Sequence, residues 1–492
     1  MAIKRSGPAA LTLGERVVAA VGWSAGVKVA FQVVTWAMTL AVIRILSPDD
    51  YGLMALSQVF INVLASFVGF GLGDAVVQRA DAPRPLLAAV AGLLLGVSAV
   101  LAVLISLAAP AIAGWYAEPR LTGLIQAASL GFLFEGMVII PRAQITRSLR
   151  IRPMVTMEMA AGLVGAVTVI LLAVAGWGVW ALMVGGLLGG ALRVAGFALL
   201  SARDRVWPSW NPGLVRPLLH YGAFRTLEHL AWIAFTSADV IIIGRWLGPV
   251  DLGLYTVALN FAGMPLSKVA PIINQVAFPA FALVQADPAE GRYYVMKAMR
   301  LMAALAVPVF FGISAVAPEV VDLVFGPHWA GAKPMLAVLA LAMSFRAVLL
   351  VIPNYLQGIG DARAGFLCTL TGAVLFPPAF IVGCAWGIMG VCWAWLLGYP
   401  VMFVVNVMIA ARRGRLDFWT LLLTPLRPML AGAAMLTAVA LLRPVLPEAE
   451  PVRAAVLVAV GAAVYLGVMM LAFRPLAMEI LALTGVWRPA AL

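Results

Sequence analysis

The chain has 492 residues, of which 64% are hydrophobic and 11% charged, less than half the charged share of an ordinary soluble domain. That excludes a soluble globular protein. The formal net charge of +12 suits an anionic membrane leaflet and needs no nucleic acid as partner.

Apolar runs of roughly twenty residues recur along nearly the whole chain, the signature of helices that cross a hydrocarbon core of about 30 Å. In chain order they fall near 20–44, 52–74, 85–108, 121–141, 154–175, 178–200, 218–244, 253–280, 297–317, 334–357, 364–384, 388–410, 427–443 and 453–473. These about fourteen spans predict an all-α integral membrane protein. The first span is too long for the apolar core of a secretory signal, and no convincing cleavage site follows it. Most Lys and Arg fall on one side of this topology, including Arg142, Arg147, Arg150, Arg152, Arg203, Arg205, Arg412 and Arg413. The positive-inside rule then puts both termini in the cytoplasm.

Residues 44–53 (RILSPDDYGL) return as residues 245–254 (RWLGPVDLGL). Arg44, Leu46, Pro48, Asp50, Gly52 and Leu53 recur as Arg245, Leu247, Pro249, Asp251, Gly253 and Leu254. Trp177-Gly178-Val179 returns as Trp386-Gly387-Ile388 between the fifth and sixth spans of each copy. Six spans is an even number, so the copies enter the membrane in the same sense and form parallel repeats. The expected organisation is an N-terminal six-helix lobe over 1–210, a C-terminal six-helix lobe over 211–415, and two extra helices with a cytoplasmic tail over 416–492. Repeated membrane folds place their substrate path between the copies. The connections are too short to hold a soluble catalytic domain, so no enzyme is expected.

An ionisable side chain near the centre of a span costs about 2.5–3.5 kcal/mol unless it faces water or a partner. Candidates are Lys28, Glu135, Glu158, Arg193, Arg225, Glu228, His229, Asp239, Lys268 and Arg346. Arg225, Glu228 and His229 share one helical face, and the repeat offset sets Lys28 against His229. Lys28, Arg225, Lys268 and Arg346 are expected to line a basic cavity that receives an anionic headgroup. Asp239, Glu135 and His229 are candidates for carrying a coupling proton or cation, whereas Arg193 and Glu158 are expected as interfacial anchors. Pro265, Pro271 and Pro279 are expected to bend span eight. Cys368, Cys384 and Cys392 fall in spans without metal-ligand spacing, and neither a metal nor a cofactor is implied.

Five segments together carry a resemblance: RILSPDDYGLMAL (44–56), ADVIIIGRWLGPVDLGLY (238–255), the proline-rich 264–281, FGPHWAGAKP (325–334) and LQGIGDAR (356–363). In their order and spacing the chain resembles bacterial polysaccharide (Wzx-type) flippases of the multidrug/oligosaccharidyl-lipid/polysaccharide exporter superfamily. The resemblance implies two six-helix lobes around a cationic cavity, with two further helices. It also implies alternating access that moves a polyprenyl-diphosphate-linked oligosaccharide across the bacterial inner membrane for exopolysaccharide or lipopolysaccharide synthesis. Membrane lipids, the lipid-linked substrate and, in such pathways, a polysaccharide polymerase and chain-length proteins are the implied partners. Related flippases with a sodium site use acidic and amide residues in span eleven; residues 367–384 have none, so no sodium site is carried over. Alternatives are a drug/cation antiporter of the same superfamily, for which an acidic cavity is expected, and a non-transporting subunit of a polysaccharide assembly complex, in which buried charges are expected to pair.

Overall fold

The computed structural model describes residues 31–32, 34–69, 83–148, 150–283, 288–414, 416–447, 450–474 and 478. Lys28 lies outside the described residues, as do the side chains of 216–231 within an otherwise described helix. The described chain is helical, without strands. We number its longer helices α1 (Val34–Ile45), α2 (Pro48–Gly69), α3 (Arg84–Tyr116), α4 (Arg120–Arg147), α5 (Ile151–Val174), α6 (Val179–Leu200) and α7 (Pro212–Trp246). The series continues with α8 (Pro249–Leu283), α9 (Pro288–Ala315), α10 (Ala332–Gly358), α11 (Ala362–Cys384), α12 (Gly387–Gly414), α13 (Phe418–Val445) and α14 (Glu450–Ala472). Among the described residues, ten of these are long and apolar enough to cross a membrane. The others, α1, α2, α7 and α8, stand where the remaining expected spans fall.

Local chemistry explains several helix ends. Ser47 and Asp50 cap α2 reciprocally. The Asp50 carboxylate accepts from the Ser47 amide (3.0 Å) and hydroxyl (2.7 Å), while the Ser47 hydroxyl accepts from the Asp50 amide (3.3 Å). In the second copy the residue matching Ser47 is Gly248, which turns the chain at a φ of 88° that a larger side chain resists. The paired turns before α6 and α12 use Gly178 (φ 53°) and Gly387 (φ 70°), so this part of the repeat is conformational as well as textual. Asp361 and Asp417 cap α11 and α13 by accepting from the Ala364 (2.9 Å) and Thr420 (2.7 Å) amides. Inside α10, Pro353 offers no amide to the carbonyl four residues earlier, and a turn interrupts the helix at Leu350. By contrast, α8 remains helical through Pro265, Pro271 and Pro279.

The chain divides into two compact units. One comprises the described residues up to Leu46 together with Phe60–Leu227; the other comprises Ser47–Val59 and the chain from Glu228 onward. The second unit therefore takes in the start of α2.

In the first unit α3 packs on α4, α5 on α6, and α4 on α6. Leu86, Leu87, Val90 and Leu94 of α3 meet Ile140 and Ala143 of α4 and Val215 of α7. Val138 and Ile145 of α4 close on Phe197 of α6. The α5–α6 pair approaches through glycine: a methyl group on Gly165 would stand 2.9 Å from the Gly185 carbonyl oxygen. Small residues of this kind let membrane helices pack backbone to backbone.

In the second unit α10 is the central helix, with 72% of its most apolar stretch buried against 17–50% for the other nine helices long and apolar enough to span a membrane among the described residues. It packs against α8, α9 and α12. The α11–α12 hairpin repeats the glycine device of α5–α6, at Gly383 and Gly390. The additional pair α13–α14 docks on α9 through Val307, Phe311, Ala431, Met435, Tyr465 and Met469. Tyr465 also donates to the Ala304 carbonyl at 2.9 Å. At one end of this contact Glu319, fully buried, receives Arg443 through two bonds (3.0 and 3.1 Å) and Arg453 at 3.4 Å. The two copies of the repeated motif also meet within this unit. A methyl group on Gly52 would overlap the Pro249 carbonyl, and one on Gly253 would overlap the Pro48 carbonyl. Tyr51 packs edge-on against Trp329 beside them (5.4 Å between ring centres).

Candidate functional site

Trp232, Phe235 and Asp239 follow one another at i, i+3 and i+7 on α7, so they share a face of the helix. Phe235 enters an aromatic core with Phe376 of α11 (5.3 Å) and Trp395 of α12 (5.8 Å). Trp395 stacks on Tyr399 at 5.2 Å. Gly372 accommodates Phe235, since a methyl group there would come within 2.8 Å of the ring. Core of this density fixes the α7 face and with it the polar groups that follow.

Asp239 is fully buried. Its carboxylate accepts from the Tyr255 hydroxyl of α8 (2.5 Å) and from the Val240 amide (2.8 Å). The Tyr255 oxygen accepts in turn from the Trp395 indole N–H (2.5 Å). A carboxylate in apolar surroundings needs such donors, because leaving it unsatisfied costs several kcal/mol. The relay joins α7, α8 and α12.

Arg346 lies near the middle of α10, partly exposed, with its guanidinium carbon 5.8 Å from the centre of the Trp232 ring. Among the described residues no carboxylate forms an ion pair with it. A partly exposed arginine at mid-span, with no ion pair among the described residues, is stable against water or an anion and not against hydrocarbon. That is the chemistry of this site: a fixed cation beside an aromatic wall, backed by a buried acid.

The remaining sequence candidates divide sharply. Lys268 sits on α8 with its side chain exposed. Arg225, Glu228 and His229 lie on α7, but their side chains are outside the described residues, as is all of Lys28. Glu135, at the middle of α4, pairs with Arg193 of α6 at 3.4 Å, both about half exposed. Glu158 of α5 pairs with Arg142 of α4 at 3.5 Å. The expected interfacial anchors Arg193 and Glu158 are thus held in interhelical ion pairs of the first unit. Half-exposed charge at this depth belongs against water rather than lipid. Cys368, Cys384 and Cys392 are free thiols. Among the described residues no group of three His, Cys, Asp or Glu could hold a metal ion.

Sequence reasoning singled out Arg346 and Asp239, among other candidates, by the rule that charge inside a span is costly. It missed Trp232, Tyr255 and Trp395, whose aromatic side chains are unremarkable in a span. For Trp232 the sequence signal is the i, i+3, i+7 spacing that sets it and Asp239 on one face.

This architecture is that of a multi-helix membrane protein. A solved structure titled lipid II flippase MurJ in its inward closed conformation superposes with a TM-score of 0.72, covering 91% of this chain and 99% of that one at 14% identity. Residues 41–334, more than half of the chain, match the family described as polysaccharide biosynthesis protein, and the chain belongs to that family. Its relatives include the succinoglycan biosynthesis transport protein ExoT of Rhizobium meliloti (strain 1021), 26% identical over 96% of both chains. The lipopolysaccharide biosynthesis protein WzxC of Escherichia coli (strain K12) is 26% identical over 81% of both.

Proposed function

We propose that the chain is a flippase that moves a polyprenyl-diphosphate-linked oligosaccharide repeat unit across the bacterial inner membrane by alternating access, supplying exopolysaccharide or lipopolysaccharide synthesis. The observation that carries this reading is likeness along almost the whole length to a transport protein of polysaccharide synthesis, joined to a transporter fold. We read the protein as a carrier and not as an enzyme, with both termini in the cytoplasm and a polymerase and chain-length proteins as partners downstream.

The physics of such a substrate fits. Its polyprenyl tail is at home in lipid, and the diphosphate is the costly part to bring through hydrocarbon. Arginine and lysine side chains in a hydrated site replace the water and counterions of the diphosphate, arginine doing so through paired N–H donors. We assign that part to Arg346, with Lys28, Arg225 and Lys268. For energetic coupling we propose Asp239 first, because it is a buried acid within a relay that spans three helices, on the same helix face as the Trp232 ring that Arg346 covers. His229 and Glu135 are further candidates, the latter needing release from Arg193.

The test is deletion of the gene and complementation with Arg346→Ala, followed by extraction of lipid-linked glycans. The expected outcome is accumulation of lipid-linked repeat units with loss of surface polymer while the variant protein stays in the membrane. Normal polymer output from Arg346→Ala combined with Lys268→Ala removes these residues from the site. Deletion without accumulation of any lipid-linked glycan removes the flippase reading itself.

A further inference from the structure

Among the described residues, Trp232 differs from the aromatic rings of the core beside it. Phe235, Phe376, Trp395 and Tyr399 are buried, yet Trp232 is 37% exposed at a point near the middle of α7, fourteen residues before its last residue. Exposure at that depth would ordinarily mean contact with lipid. Here the guanidinium of Arg346 lies over the same ring, and a mid-span arginine is not stable against hydrocarbon. The surface on which Trp232 opens is therefore the wet surface that Arg346 requires. Phe235 meets the indole edge-on (5.6 Å, 72° between planes), and Asp239 secures the same helix two turns away through Tyr255. Trp232 is held from its own helix and left open toward water.

An indole fixed beside a guanidinium carries two recognition chemistries within one side-chain length. The guanidinium suits a phosphate oxygen pair. The indole face carries negative charge density and attracts polarised C–H groups, and the apolar face of a pyranose is a plate of such groups. Resting on the flippase reading above, we propose that Trp232 is a sugar-binding platform that engages the first hexose next to the diphosphate while Arg346 engages the diphosphate. Trp232 then makes the carrier prefer a glycosylated lipid to the bare polyprenyl diphosphate, which is of no use to the other leaflet.

The experiment uses the full-length protein in lipid nanodiscs with two probes, undecaprenyl diphosphate and undecaprenyl diphosphate bearing one hexose, and dissociation constants read by native mass spectrometry. A stacked sugar is worth about a fivefold preference for the hexose lipid in the unmodified protein. Trp232→Ala abolishes that ratio through loss on the hexose lipid, and Trp232→Phe, which keeps a smaller ring and the packing, retains part of it. Arg346→Ala weakens both probes together. A ratio unchanged in Trp232→Ala overturns the proposal. So does an equal loss on both probes, which would make Trp232 only a support for Arg346. Binding of both probes by the unmodified protein without preference overturns the platform and leaves the flippase reading standing. Binding of neither overturns both.

Discussion

Glu319 offers a quantitative test of how the additional helical pair is attached. The carboxylate is fully buried, while Arg443 and Arg453 keep 33% and 21% of their side-chain exposure. At 3.0–3.4 Å and an effective dielectric of about 20, each pairing carries roughly 5 kcal/mol of gross attraction. Most of that offsets the cost of removing the carboxylate from water. Deleting the acid leaves two cations that stay partly hydrated, so Glu319→Ala should cost about 2–4 kcal/mol, toward the lower end of what breaking a buried pair costs. Arg443 donates twice to the carboxylate and also to the Ala315 carbonyl, whereas the Arg453 Nε makes no hydrogen bond. Arg443→Ala should therefore cost about 2–3 kcal/mol and Arg453→Ala about 1 kcal/mol. The double substitution Glu319→Ala with Arg443→Ala should fall short of the sum by about 2 kcal/mol, the coupling between contacting residues. The assay is equilibrium unfolding in mixed detergent micelles, with amide hydrogen exchange across α13 and α14 as the local readout. Single costs that add to within about 0.5 kcal/mol, or α13–α14 exchange that does not accelerate in Glu319→Ala, would refute the claim that this carboxylate is the clasp.

Two further outcomes follow from other contacts. Tyr255→Phe removes a donor from buried Asp239 and an acceptor from the Trp395 indole N–H. It should destabilise by about 2–3 kcal/mol, more than Trp395→Phe at about 1 kcal/mol; the same unfolding assay checks this, and a silent Tyr255→Phe would count against the relay. Gly52→Ala and Gly253→Ala each press a methyl group into a proline carbonyl of the other motif and should cost about 1–3 kcal/mol apiece. Because both act on one contact, the double variant should cost clearly less than the sum, and strict additivity would show that the two seats are independent.

The span pattern was legible because hydrocarbon tolerates few charges, and some helices extend the expected apolar runs by a turn or more, through polar residues from Pro288 in α9 and through the apolar stretch that ends at Tyr116 in α3. The repeat was equally plain in the text, and Gly178 and Gly387 show that it extends to backbone angles. What stayed hidden depends on distance along the chain. Glu319 reads as an ordinary charge at the end of a span, and its partners lie over a hundred residues later, so no local pattern announces them. The relay from Asp239 passes through Tyr255 sixteen residues on and Trp395 a further 140 away. Sequence rules register the expense of the acid but not the groups that relieve it. For the same reason Glu135 and Arg193 read as separate charges, although they stand 3.4 Å apart.

The reciprocal seating of Gly52 on Pro249 and Gly253 on Pro48 bears on how such a chain arose. Each half supplies both the knob and the socket, which is the arrangement two identical subunits adopt across a twofold axis. A shorter ancestor with one copy of the motif could have paired with itself through this same join. In the chain as it stands the join is internal, and neither glycine can enlarge unless the opposite proline turn moves with it.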